Sequence, residues 1–316
     1  MRLEGIHHIT AITGDAPRNV DFYARVLGLR MVAKTVNQDD PTVYHLFYAD
    51  EEGSPGADLT FFEYPGAAPG RAGAGMVHRI EWAVEGPEAL DFWEQRLTAE
   101  GVATERSSRS LRFSNPEGMG HELITGRRTN PALTAYHPEI PAQHALQGFL
   151  GVRAYSARPE ASARLLEDVL GATRLEDADA AERFELAAEQ RRSTITWDGA
   201  PDERGVPGAG TVHHIAWGTT AAEHPRWVDH LRDAGVQSTD VIDRHYFHSI
   251  YFREPGGVLY EIADDEPGFT VDLPLEELGT KIILPPWLER HRAEIEERLT
   301  PLPDPRAGWS APAPSR

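Results

Sequence analysis

The same short unit recurs four times along this chain, and any fold it adopts must accommodate that repeat. The first copy runs from Ile6 to about Pro65. An apolar strand over 6–12 leads to Asp15, an N-cap residue type, with Pro17 in the first helical turn. Val20, Tyr23, Val26 and Leu27 then recur at helical spacing, and Gly28 stops the helix. Three strands follow, over 29–36, 44–48 and 59–64. The unit reads βαβββ.

The second copy opens at Gly75-Met76-Val77-His78-Arg79, with a helix over 87–100 presenting Leu90, Trp93 and Leu97 on one face. The third opens at Leu150-Gly151-Val152-Arg153-Ala154. Its Asp168-Val169-Leu170-Gly171-Ala172 echoes Arg25-Val26-Leu27-Gly28-Leu29. The fourth opens at Gly210-Thr211-Val212-His213-His214 and carries a helix with Trp227, Val228 and Leu231. The expected divisions are 1–66, 75–126, 146–200 and 210–268, with a polar linker over 127–143. An extension, 269–316, holds Leu284-Pro285-Pro286-Trp287, then a charged helix to about Leu299. Its Pro- and Ala-rich end is expected to fray. The fold class is therefore α+β: four βαβββ modules and a C-terminal helical extension.

Two of the opening strands carry paired histidines: Gly5-Ile6-His7-His8-Ile9-Thr10 and Val212-His213-His214-Ile215-Ala216. The matching slot is read as Arg79 in the second copy and Ala154 in the third, so the scaffold itself does not require histidine there. A glutamate recurs in the last strands, as Glu63, Glu122 and Glu261. A histidine pair together with a glutamate is thus available only from the first and fourth copies. A buried carboxylate is costly without a partner, and a metal ion supplies one. His8, His214 and Glu261 are the expected ligands of one divalent metal. Two imidazoles and one carboxylate leave about three open positions, which suits non-haem Fe(II); Mn(II) is the other ion considered. Strand alternation puts His8 and Thr10 on one face and His7 on the other. Glu63 is either a fourth ligand or a solvent-facing residue, and Glu122 is read as structural. Tyr251 either packs in the core with its hydroxyl at the cavity edge or hydrogen-bonds a metal-bound oxygen; Arg244 is expected beside an anionic oxygen or a carboxylate, and His248 either in proton transfer or in solvent.

The chain has no cysteine, which removes thiolate ligands, disulfides and cysteine nucleophiles from consideration. Its net charge of −19 argues against nucleic acid or an anionic membrane as partner. No apolar run approaches the ~20 residues of a membrane span, and no export signal is apparent; a cytoplasmic setting is expected.

These motifs resemble the vicinal-oxygen-chelate superfamily of glyoxalases, fosfomycin and bleomycin resistance proteins and extradiol dioxygenases. More narrowly they are similar to bacterial ring-cleaving dioxygenases of the hydroquinone type. The similarity rests on the two His-His strands and on Lys34-Thr35-Val36-Asn37, Tyr44-His45-Leu46 and Asp243-Arg244. It rests also on Ser249-Ile250-Tyr251-Phe252-Arg253-Glu254-Pro255-Gly256-Gly257 and Leu284-Pro285-Pro286-Trp287-Leu288. It implies two glyoxalase-like half-barrel domains, the first copy sharing one with the fourth and the second with the third. It implies Fe(II) on His8, His214 and Glu261, and a catalytic surround of Tyr251, His213, Arg244, His7 and Thr10. A small dihydroxyaromatic and O2 would be the partners, and a homo-oligomer is compatible. An aromatic pocket is expected from among Phe22, Phe47, Phe61, Trp217, Tyr246 and Phe252. Two rival readings are a glyoxalase-like lyase or isomerase using Ni, Zn or Mn, with Glu63 as fourth ligand, and a non-catalytic quinone- or antibiotic-binding protein.

Overall fold

A computed structural model describes residues 1–126, 131–176, 182–189 and 191–309. Each βαβββ copy contributes four strands, and the copies assemble into two eight-stranded sheets. In the first sheet the opening strands Ile6–Thr13 and Thr211–Gly218 lie side by side, antiparallel, at the centre. Asp58–Glu63 and Leu259–Ala263 flank them in parallel, and the remaining strands of each copy complete the two wings. The second sheet repeats this plan around Met76–Val84 and Phe149–Tyr155. Parallel pairing of the first and last strand of each copy requires a crossover, and the helix of the unit provides it. No helix among the described residues is long and apolar enough to cross a membrane.

Each crossover helix has proline in its first turn, where a missing N–H costs nothing. The first runs as Ala16–Val20 and then widens into a π-turn, Asp21–Val26, where the expectation was one regular helix. Leu27 N donates to Phe22 O, and Gly28 (φ 73°) turns the chain into the next strand. The faces between helices and sheets hold one continuous apolar core that includes Tyr23, Trp82, Trp93, Phe149 and Trp217, all fully buried. Each such side chain contributes about 1.5–3 kcal/mol through burial. The two sheets share that core and are also pinned by polar contacts. Tyr23 Oη lies 3.0 Å from His121 Nε2, and Trp82 Nε1 donates to His121 Nδ1.

The extension differs from expectation. Its helix is only Arg292–Arg298, preceded by short 3-10 turns. The chain beyond it stays docked as far as it is described, because the barrel edge offers partners. Lys34 Nζ donates to Leu302 O, and Arg306 pairs with Glu51. Fraying is expected over 301–316; the contacts of Leu302 and Arg306 correct this for 301–309, and 310–316 lie outside the described residues.

Strand register corrects two slot assignments. In the fourth copy Glu261 lies opposite Ala216, two residues past His214. The same step in the first copy runs from His8 to Thr10, which lies opposite Thr60. Thr60, not Glu63, is therefore the counterpart of Glu261. In the central pairs, His8 faces Ala216 and Thr10 faces His214, while Glu81 faces Gly151 and Arg79 faces Arg153. With Arg79 in the slot of His214, the slot of His8 belongs to Gly151, not Ala154.

Candidate metal centre

Two central strands and one flanking strand bring His8, His214 and Glu261 to one point. His8 Nε2 lies 3.3 Å from His214 Nε2 and 3.2 Å from Glu261 Oε2; His214 Nε2 lies 2.9 Å from that same oxygen. All three side chains are buried. Bonds of about 2.1 Å at right angles place ligand atoms about 3.0 Å apart, so this triangle fits one face of a divalent ion. The rest of each ligand is already engaged. His8 Nδ1 meets His7 Nδ1 at 2.9 Å, His214 Nδ1 meets His213 Nδ1 at 2.8 Å, and Ser249 Oγ donates to Glu261 Oε1. Glu261 Oε2 is buried without a hydrogen-bond donor of proper geometry. Burial alone would push the Glu261 carboxyl pKa up, but His8 and His214 hold it well below the usual range. The residues present fit the metal.

Why adjacent histidines can collaborate is visible in the register. Between Ile6 and His8 the opening strand gains one residue over its neighbour, and that residue is His7. Between Thr10 and Ala11 the neighbour gains one, and that residue is His213. These bulges break the alternation that would have thrown His7 and His213 to the far face. Each lies against its neighbour's Nδ1 instead, a second-layer contact that fixes ring orientation. With a cation on the two Nε2 atoms, each ligand Nδ1 carries its proton and donates it. His7 and His213 then accept on Nδ1 and carry their own protons on Nε2. His7 Nε2 lies 3.5 Å from Asp265, which Arg191 in turn grips with two 2.8 Å contacts. Burial first, then the neighbouring His8 and Arg191, keeps His7 neutral.

A cavity of about 360 Å³ opens over the triangle. His8, Thr10, His213, His214, Arg244 and Tyr251 all reach its wall, whereas His7 sits behind His8. Arg244 Nε donates to Tyr251 Oη at 3.3 Å, its guanidinium lies over the Tyr251 ring, and its other end pairs with Asp39. Burial raises the Tyr251 phenol pKa, so it remains a donor. His248 turns away to Asp264. Glu63 accepts from Ala16 N at the start of the first helix and takes no part in the triangle. Of the aromatics expected around the pocket, Phe47 and Tyr246 line it. Phe22, Phe61, Trp217 and Phe252 belong to the core behind the sheet. Alternation explains one exchange directly: Phe61 points into the core and its neighbour Phe62 into the cavity.

Several wall residues went unrecognised in the sequence. Phe247 packs on both His7 and His8, with ring centroids 5.2 and 4.8 Å away. Ser249 offered a faint signal, standing two residues before Tyr251 on the same face. His245 has a positive φ (74°), unlike every other described non-glycine residue. Its ring is held by Asp272 of the extension at 2.6 Å, and Pro285 of the same segment completes the wall. His45 lies across the cavity, clamped between Phe47 and Phe62.

Residues 5–115 and 148–262 match the Glyoxalase/Bleomycin resistance protein/Dioxygenase superfamily. MhqE of Bacillus subtilis, provisionally named a ring-cleaving dioxygenase, is 38% identical over 307 residues, covering 96% of this chain and all of MhqE. The chlorohydroquinone/hydroquinone 1,2-dioxygenase of Sphingobium indicum is 31% identical over 316 residues, covering 93% of this chain and 95% of its own. A crystal structure from Bacillus subtilis, provisionally titled a dioxygenase, superposes with a TM-score of 0.90 at 40% identity, covering 96% of this chain and 98% of its own. A repeat of βαβββ units, two sheets of paired units and relatives aligned end to end agree: this chain belongs to the glyoxalase/bleomycin resistance/dioxygenase superfamily.

Proposed function

We propose that the protein is an Fe(II)-dependent dioxygenase that opens the ring of a hydroquinone or a related dihydroxyaromatic, with His8, His214 and Glu261 as iron ligands. The observation that carries this reading is the triangle of buried ligand atoms beneath an aromatic-walled cavity. The names of the relatives set the substrate class. His8, His214 and Glu261 would hold Fe(II), and the ion would supply the redox chemistry that lets dioxygen react with the ring.

The chain's own groups do the rest. Phe47, Phe62, Tyr246 and Phe247 line the cavity, exclude water and hold an aromatic ring face-on or edge-on. Tyr251, steadied by Arg244, donates a hydrogen bond toward an oxygen at the ligand triangle. His213, with its Nδ1 committed to His214, turns an Nε2–H donor to the cavity. Thr10 adds a hydroxyl beside His8. The lyase reading requires Glu63 as a fourth ligand; Glu63 is engaged on Ala16 N and the matching slot is Thr60. The test is anaerobic loading with Fe(II), admission of air, and oxygen uptake with hydroquinones and catechols. Uptake coupled to loss of the aromatic absorbance is expected with hydroquinones. Bound iron without uptake on any diol would end this reading.

A further inference from the structure

One chain of hydrogen bonds at the cavity has no part in holding the triangle. His45 Nε2 lies 2.9 Å from Thr60 Oγ1, and Thr60 Oγ1 lies 2.8 Å from Thr10 Oγ1. Both threonines are fully buried. Thr60 is the residue whose counterpart in the fourth copy is Glu261. The first copy has thus replaced a carboxylate with a hydroxyl and used it to anchor an imidazole. His45 is clamped as well as anchored. Its ring centroid lies 4.0 Å from that of Phe47 and 4.4 Å from that of Phe62, on the strands of the same wing. Three contacts on a half-buried side chain fix its orientation. The ring lines the cavity, and its Nδ1 has no hydrogen-bond partner among the described residues.

The placement sets what Nδ1 can meet. His8 is on the opening strand, and His45 is two strands away on Asp40–Ala49. Both side chains line the same cavity. An aromatic ring seated at the triangle would share this cavity with the imidazole. Burial, then the neighbouring His8 and His214, holds His45 well below its ordinary pKa, so it is neutral. If Nε2–H donates to Thr60, Nδ1 presents a lone pair and accepts.

We infer that His45 Nδ1 receives the ring hydroxyl remote from the metal, making His45 the residue that selects para-diols over phenols and ortho-diols. An ortho-diol directs both oxygens to the same end and leaves His45 facing C–H. A phenol or a monomethyl ether leaves Nδ1 without a donor, and an unmatched buried acceptor disfavours binding. This inference rests on the aromatic-diol reading above, but its test does not require turnover.

Anaerobic Fe(II)-loaded protein is titrated calorimetrically with hydroquinone and with 4-methoxyphenol, which lacks the second donor. Wild type is expected to prefer hydroquinone by about 5- to 10-fold, the worth of one such hydrogen bond. His45→Phe should reduce that preference to under about 2-fold and leave 4-methoxyphenol affinity near wild type. Thr60→Val keeps the imidazole but removes its anchor, and should give an intermediate preference; it also serves if His45→Phe does not fold. Equal binding of the two compounds by wild type, no binding of either, or an undiminished preference in the folded variants overturns the assignment. Preference lost in the variants, with no oxygen uptake by wild type, instead sinks the dioxygenase reading and leaves His45 as the diol-binding residue.

Discussion

In the half-barrel of the first and fourth copies, the central slots hold His8 and His214, and Glu261 comes up beside them. In the other half-barrel the same slots hold Gly151 and Arg79, with Glu122 in place of Glu261. The backbone plan is shared down to its irregularities. His78 is a bulge residue as His213 is, and Leu150 as His7 is. What differs is the source of positive charge. Arg79 and Arg112 reach Glu122 at 3.3 and 3.1 Å, while Arg153 and His78 each reach Asp198 at 2.8 Å. Guanidinium groups neutralise Glu122, whose counterpart Glu261 in the companion sheet meets two imidazoles instead. The comparison separates frame from chemistry: the bulges belong to the frame, and the ligands are an addition to it. Steric closure reinforces the difference, because a Cβ at Gly151 would lie 2.4 Å from Thr194 O. No histidine fits that slot without moving a strand.

The sharpest way to break this comparison is a matched pair of substitutions. Glu261→Ala is expected to lower iron affinity at least about 100-fold, measured by metal analysis after dialysis. Glu122→Ala should keep the iron and instead lose about 1–3 kcal/mol of stability in denaturant melts, since two arginines lose their partner. Iron loss from the second variant would mean that the half-barrels are not chemically separate. Next in size is Gly151→Ala. The close Thr194 carbonyl predicts destabilisation by about 1–3 kcal/mol. A melt within about 0.5 kcal/mol of wild type would show that sterics do not bar the slot.

The subtlest test concerns pH. Burial pulls His121, in the second sheet, down to about 3. The unfolded chain binds that proton near pH 6.5, so stability from His121 is complete above pH 6.5 and falls as pH drops toward 3. His121→Phe should show a shallower loss of stability between pH 6.5 and 4 than wild type, whatever its baseline. Parallel slopes would mean that another group carries the acid sensitivity.

Much of the architecture is legible in the sequence because it is written four times. Helix faces such as Leu90, Trp93 and Leu97, and turn signals such as Gly28, recur at one spacing. The meeting of His8, His214 and Glu261 follows from which copies hold histidine. The bulges are not legible: an extra residue in a strand leaves no mark in composition, so alternation alone puts His7 on the wrong side of its strand. Nor is register: three positions separate Glu63 from Thr60, and only the ladder shows which of them matches Glu261. The wall residues His45, Phe62 and Phe247 come from wings and loops whose aim depends on neighbours. A side chain there looks the same whether it faces core or cavity.

His8 and His214 stand 206 positions apart, and Glu261 comes later still. Closing so long a loop is entropically slow, and the nascent chain cannot attempt it before its final quarter has left the ribosome. The triangle is therefore completed only with the last strand of the first sheet, before the extension docks. A polypeptide cut between Gly210 and Glu261 keeps the second and third copies, which form the arginine-filled half-barrel, but lacks one corner of the triangle.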